Sequence, residues 1–92
     1  MYSKEWLQNL PIGTIFVMQD DEQYIIYEKK YRLKDKVQRY LKRPYVKEPV
    51  RVYYSEQEHL CKLAYPEPNH EFPLEGRLKG IILPQQVLSL AV

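Results

Sequence analysis

The sequence predicts an α+β, β-rich fold: a small curved antiparallel sheet or partly open barrel of about five strands, with a short N-terminal helix and a short C-terminal helix. A central basic stretch reads as a helix or as a further hairpin. Three observations carry this. Two pairs of alternating apolar segments are each joined by a polar run of about four residues, a common hairpin spacing. Nine tyrosines stand against two phenylalanines and one tryptophan, and tyrosine suits strands that are packed on one side and wet on the other. Helical spacing is confined to the two ends and that central stretch. With 92 residues, 45% apolar and 28% charged, the chain supports one core and a single domain over residues 1–92.

Ser3 caps a helix over Lys4 to Leu10 that places Trp6, Leu7 and Leu10 on one face, and Pro11 stops it. Thr14 to Gln19 alternates as a strand, Asp20 to Gln23 forms a polar turn, and Tyr24 to Lys29 returns as the partner strand. Over Tyr31 to Arg43, Leu33, Val37, Tyr40 and Leu41 fit a helical stripe, and the Lys, Arg, Gln and Leu content favours a helix ended by Pro44. A hairpin turning near Asp35 uses the same residues.

Val50 to Tyr54 and His59 to Tyr65 form a second hairpin about Ser55 to Glu58, with His59, Cys61, Leu63 and Tyr65 on one face. Pro66, Pro68 and Pro73 make residues 66–73 an exposed loop. Arg77 to Leu83 reads as a buried last strand, and Pro84 opens a C-terminal helix bearing Val87, Leu88 and Leu90.

The net charge of +2 hides an asymmetry. Nine cations, Lys29, Lys30, Arg32, Lys34, Lys36, Arg39, Lys42, Arg43 and Lys47, share one stretch with Asp35 alone. Between Tyr53 and Gly76, five glutamates oppose Lys62. Such a split steers an anionic partner to one face, or it is self-complementary if the two segments fold together. No signal-peptide pattern opens the chain, and a lone cysteine suits a reducing compartment, so a cytoplasmic setting is expected.

Chemistry-bearing motifs are sparse. His59 and Cys61 form a single H-x-C pair with His70 or Glu71 as a distant third ligand, too little for a structural metal site. Cys61 lies mid-strand with Lys62 pointing to the opposite face, the three glycines lie outside any phosphate-binding spacing, and the apolar stripe of residues 31–43 is too narrow for a membrane surface. No enzyme activity, cofactor, metal or membrane contact is expected. The run Asn69 to Leu74, followed by Leu78 to Leu83, resembles the late strands of the LexA-like self-cleaving repressors. That family acts through a serine activated by a lysine, and the stretches around Glu5 to Gly13 and Tyr24 to Glu28 hold neither where the motif wants them. The resemblance implies a β-rich scaffold without peptidase activity.

Two binding functions fit what remains. In the first, Lys34, Lys36, Arg39, Lys42 and Arg43 meet the phosphates of a nucleic acid while Tyr40 or Tyr45 stacks on its bases. In the second, the same basic, tyrosine-rich surface docks on an acidic protein partner, such as a nucleic-acid-handling protein, as an adaptor or inhibitor.

Overall fold

The computed structural model describes residues 2–27, 37–43, 47–66 and 70–85. Helix α1 (Lys4–Asn9) precedes strands β1 (Ile15–Met18), β2 (Gln23–Tyr27), β3 (Gln38–Lys42), β4 (Val50–Ser55), β5 (Leu60–Tyr65), β6 (His70–Pro73) and β7 (Leu78–Ile82). The seven strands form one sheet in the order β6-β5-β4-β3-β2-β1-β7, with every neighbouring pair antiparallel. Strands β6 and β7 are consecutive in the chain yet occupy opposite edges. Laid flat at strand spacing, seven strands separate their edges by about 29 Å. The link from Pro73 to Leu78 spans roughly 17 Å at most, so the sheet must curl, and it forms an open half-barrel.

Two further features bend it. A register irregularity between Val17 and Met18 breaks the β1–β7 ladder, as bulges do where a strand turns. Just beyond it, the Gln19 N–H donates to the Arg77 carbonyl at 2.8 Å and the Gln19 carboxamide to the Leu78 carbonyl at 3.2 Å. Inside the link, a 3-10 turn over Leu74–Gly76 buries Leu74 completely. The curl also brings the hydroxyls of Tyr24 on β2 and Tyr65 on β5 to 3.4 Å, although β3 and β4 lie between those strands.

The concave face is apolar. Phe16, Ile26, Leu41, Val52 and Leu63 are each at most 1% exposed, and they sit on alternate positions of β1 to β5, as strand geometry requires. Helix α1 fills this concavity. Ser3 caps it, with its Oγ accepting from the Trp6 N–H at 3.1 Å. Leu7 is fully buried, and the Trp6 ring lies 6.0 Å from Phe16 and 4.5 Å from Tyr2. A six-residue helix leaves its last carbonyls without helical partners. Arg39, on the inner face of β3 opposite Val52, supplies them: its Nη1 donates to the carbonyls of Leu7, Gln8 and Leu10 at 3.2, 3.3 and 2.6 Å.

The N-terminal helix, both hairpins and the last strand lie where the sequence places them, within a residue or two. Three expectations are corrected. Gln38–Lys42 is strand β3 rather than part of a central helix, because Leu41 is buried between Ile26 and Val50 and packing there outweighs the helix propensity of its neighbours. His70–Pro73 is strand β6 rather than loop, since a proline is tolerated on an edge strand. These two account for seven strands instead of five. His59 belongs to the β4–β5 turn, at φ 56°, and not to the inner face of β5. Residues 31–36 of the expected central helix, and the expected C-terminal helix beyond Gln85, lie outside the described residues.

Arg39 thus gains a structural assignment that can be measured. Arg39→Met keeps the aliphatic stem and removes the donors, and we expect it to lower stability by about 1.5 to 3 kcal/mol, the range for hydrogen bonds involving a charged group. The urea midpoint of the variant reads this directly. An unchanged midpoint would show that α1 does not depend on that guanidinium.

Candidate functional site

With α1 in the concavity, the open surface of the sheet is its convex face. Strand alternation and the observed register decide which side chains reach it. Tyr27 lies opposite Tyr40, Tyr40 opposite Arg51, Gln38 opposite Tyr53, and Tyr53 opposite Lys62. Three tyrosines from three adjacent strands therefore step diagonally across β2, β3 and β4. Directly opposed side chains sit about 5 Å apart and diagonal ones about 7 to 8 Å. All three rings are half-buried, with one side against the sheet.

Cations interleave with these rings. The Lys42 ammonium lies 4.1 Å from the Tyr27 ring centre, and the Arg51 guanidinium 5.4 Å from that of Tyr53. Arg51 also donates to the Gln38 carboxamide oxygen at 3.1 Å, while the amide of Gln38 donates to the Tyr40 hydroxyl. Glu71 approaches Arg51 at 3.9 Å and Lys62 at 3.6 Å, and Lys62 meets Glu58 at 2.7 Å. Burial, and then a hydrogen bond to Glu71, hold the Tyr53 hydroxyl above the usual tyrosine range. A polar groove of about 500 Å³ runs over this part of the face, between Gln38, Arg51, Tyr53 and Lys62.

The charge asymmetry resolves on the same map. Three of the glutamates of the acidic segment pair with Lys4, Lys62 and Arg51: Glu56 with Lys4, Glu58 with Lys62, and Glu71 with both Lys62 and Arg51. None of these three cations belongs to the basic stretch. Lys42 and Arg43 have no carboxylate partner among the described residues.

The residues expected to form the site are dispersed. Tyr40 and Lys42 share the convex face. Arg39 points into the concavity and is engaged with α1. Arg43 follows β3 at its open end, donating to the Tyr24 hydroxyl at 3.3 Å with its guanidinium 5.7 Å from that ring. Lys34, Lys36 and Tyr45 lie outside the described residues. Tyr27, Gln38, Arg51 and Tyr53 join the face without having been singled out. The signal that finds them is period-two alternation carried across neighbouring strands: Tyr27 sits one position from buried Ile26, Arg51 and Tyr53 flank buried Val52, and Gln38 precedes the inward-facing Arg39.

The His59, Cys61 and His70 constellation is not assembled. His59 and Cys61 lie at the start of β5, whereas His70 pairs with Tyr65 at its far end. Among the described residues no group of three His, Cys, Asp or Glu side chains is placed to hold a metal ion, and no helix is long and apolar enough to cross a membrane. No protein-family model, curated protein or solved structure matches this chain, so the short resemblance within residues 69–83 identifies no family.

Cys61 is 3% exposed, with its Sγ 3.4 Å from the Tyr2 carbonyl, and burial, with a smaller contribution from Glu75, pushes its thiol up to about 11. A folded-state value above the unfolded one means that the folded protein retains the proton longer. Stability contributed by this thiol is therefore present below the ordinary thiol range and is lost as pH rises toward 11. We expect slow reaction with a maleimide at pH 8, and a shallower alkaline loss of stability in Cys61→Val than in the native chain. Labelling as fast as that of a free thiol would mean that the Tyr2 to Trp6 cover opens readily.

Proposed function

We propose that this chain binds single-stranded nucleic acid across the convex face of β2 to β4. Tyr27, Tyr40 and Tyr53 act as stacking rings, and Lys42 and Arg51 meet the phosphates. The observation that carries this reading is the diagonal of three half-buried tyrosines on adjacent strands with cations between them. Proteins that read single strands on a sheet surface use this combination, because every base offers a face to stack on and the backbone needs only a cationic track. Rings already braced on one side by the sheet lose little rotamer freedom when a base covers the other.

The strength of the field supports modest affinity. Lys62 and Arg51 are partly neutralised by Glu58 and Glu71, so Lys42 is the cation of this face with no acidic neighbour within ion-pair distance among the described residues. Stacking then carries a larger share of the binding than charge does. A protein partner is the second reading, and the observation favouring it is a different patch, the isoleucines of β1, β2 and β7.

Fluorescence anisotropy of labelled single- and double-stranded oligonucleotides, titrated at about 50 and 200 mM salt, tests the proposal. Single strands should bind more tightly than duplexes and weaken as salt rises. Tyr40→Ala and Tyr53→Ala should each cost about 1 to 3 kcal/mol, and Lys42→Glu should flatten the salt slope by about one phosphate contact. Absence of binding at the lower salt, or equal binding of duplex and single strand, removes the stacking surface as a function.

A further inference from the structure

The convex face has a second region, beside the tyrosine diagonal. On β7, β1 and β2, the outward positions carry Ile82, Ile15 and Ile25 side by side, with Ile15 opposite both of the others. Ile25 is 42% exposed. The water-facing side of an antiparallel sheet is ordinarily polar, so a row of three isoleucines there is a surface awaiting cover. It continues into an open groove of about 570 Å³ lined by Ile15, Ile25 and Tyr24, with Asp21 and Glu22 on one part of its rim and Lys42 and Arg43 on another.

The rim identifies what fits. The acids come from the β1–β2 turn and the cations from the end of β3. They line one groove, yet no ion pair joins them. Asp21 is held by Lys79 at 2.8 Å, while Glu22 has no side-chain partner among the described residues. Lys42 turns its ammonium over Tyr27, toward the tyrosine diagonal. Among the described residues, Arg43 contacts the Tyr24 ring and hydroxyl. An apolar floor with opposite charges on different parts of its rim is self-complementary: a two-fold axis lying in the contact plane between the two rims sets the acid of one copy against the cation of the other. A foreign partner would need the same arrangement, whereas a second copy of this chain already has it.

We infer that the chain forms a two-fold symmetric dimer through the Ile82–Ile15–Ile25 row, with Glu22 of each copy meeting Arg43 of the other. Lys42 borders both this groove and the Tyr27 ring, whereas Ile25 and Glu22 belong to this contact alone, so variants at those two residues test self-association by itself.

Sedimentation equilibrium over about 1 to 500 μM, the span in which a dimer of moderate affinity appears, tests this. The native chain should sediment as a dimer in the upper part of that range. Ile25→Glu, which places a charge in the apolar row at its most exposed residue, should weaken association at least about 30-fold. Glu22→Arg sits on an exposed turn and leaves the core untouched; it should weaken association about 10-fold or more. The double variant Glu22→Arg with Arg43→Glu should restore association, because the two charges exchange places across the axis. A monomer throughout the range overturns the proposal. So does a dimer indifferent to Ile25→Glu, or one that the charge exchange fails to restore.

Discussion

Leu74 to Arg77 join strands at opposite edges of a seven-stranded sheet, and so short a link is compatible only with a curled sheet. The rest of the architecture follows from that constraint. Curling creates a concave face too wide to be filled by its own strands, and a chain of this size has little left to fill it with. The six residues of α1 serve, carrying Leu7 into the centre and Trp6 toward Phe16. Burying so short a helix exposes the usual cost of helix ends, unpaired carbonyls away from water. Arg39 offsets it from β3, and in doing so commits one cation of the basic segment to the interior.

That commitment explains why the sequence was legible in parts. Elements whose signals are local read correctly: the Ser3 cap, the Asp20 to Glu22 turn closed by the Met18 and Glu22 backbones, and the Ser55 turn. The Asp20 carboxylate accepts from the Glu22 N–H, and Asp21 takes a left-handed φ of 67°, both consistent with the residue types preferred in turns. Strand β3 reads from sequence as helix or hairpin, and β6 as loop, because little that is local makes them strands. Gln38 to Lys42 holds one deeply buried residue, Leu41, and is rich in good helix formers. It is extended because β2 and β4 each have an edge to satisfy and only this segment lies between them. Strand β6 likewise exists because β5 offers an edge. Its Phe72 packs edge-on to Tyr65 and under the Arg77 guanidinium at 3.7 Å, contacts made from residues on three different elements.

The candidate surface shows the same division. A charge census finds the basic stretch but treats its cations as equivalent. Strand geometry separates them: residues 39 and 41 face inward, residues 40 and 42 outward, and Arg43 belongs to the rim of another groove. Lys42 and Arg43, adjacent in sequence, therefore part company: Lys42 lies over Tyr27 and Arg43 at the Tyr24 hydroxyl, although both border the groove beside Ile25. Tyr27, Arg51 and Tyr53 come from segments with no charge run to flag them, and they join Tyr40 only through cross-strand register. Register is a property of the folded sheet, fixed by which residues must be buried.

The nine tyrosines can now be divided by place. Tyr2, Tyr24, Tyr54 and Tyr65 pack on the inner side, where their rings extend the core and, for Tyr24 and Tyr65, their hydroxyls meet across the mouth of the half-barrel. Tyr27, Tyr40 and Tyr53 stand on the outer side, and Tyr31 and Tyr45 lie outside the described residues. The inner four are accounted for by packing, which is the ordinary reason for tyrosine in a small sheet. Packing against the core gives no comparable account of the outer three. Phenylalanine is absent from those positions, and smaller polar residues would satisfy an outward strand position at lower cost in exposed apolar surface. Their presence in register, each beside a cation or a carboxamide, is the observation on which the proposed binding face of β2 to β4 rests.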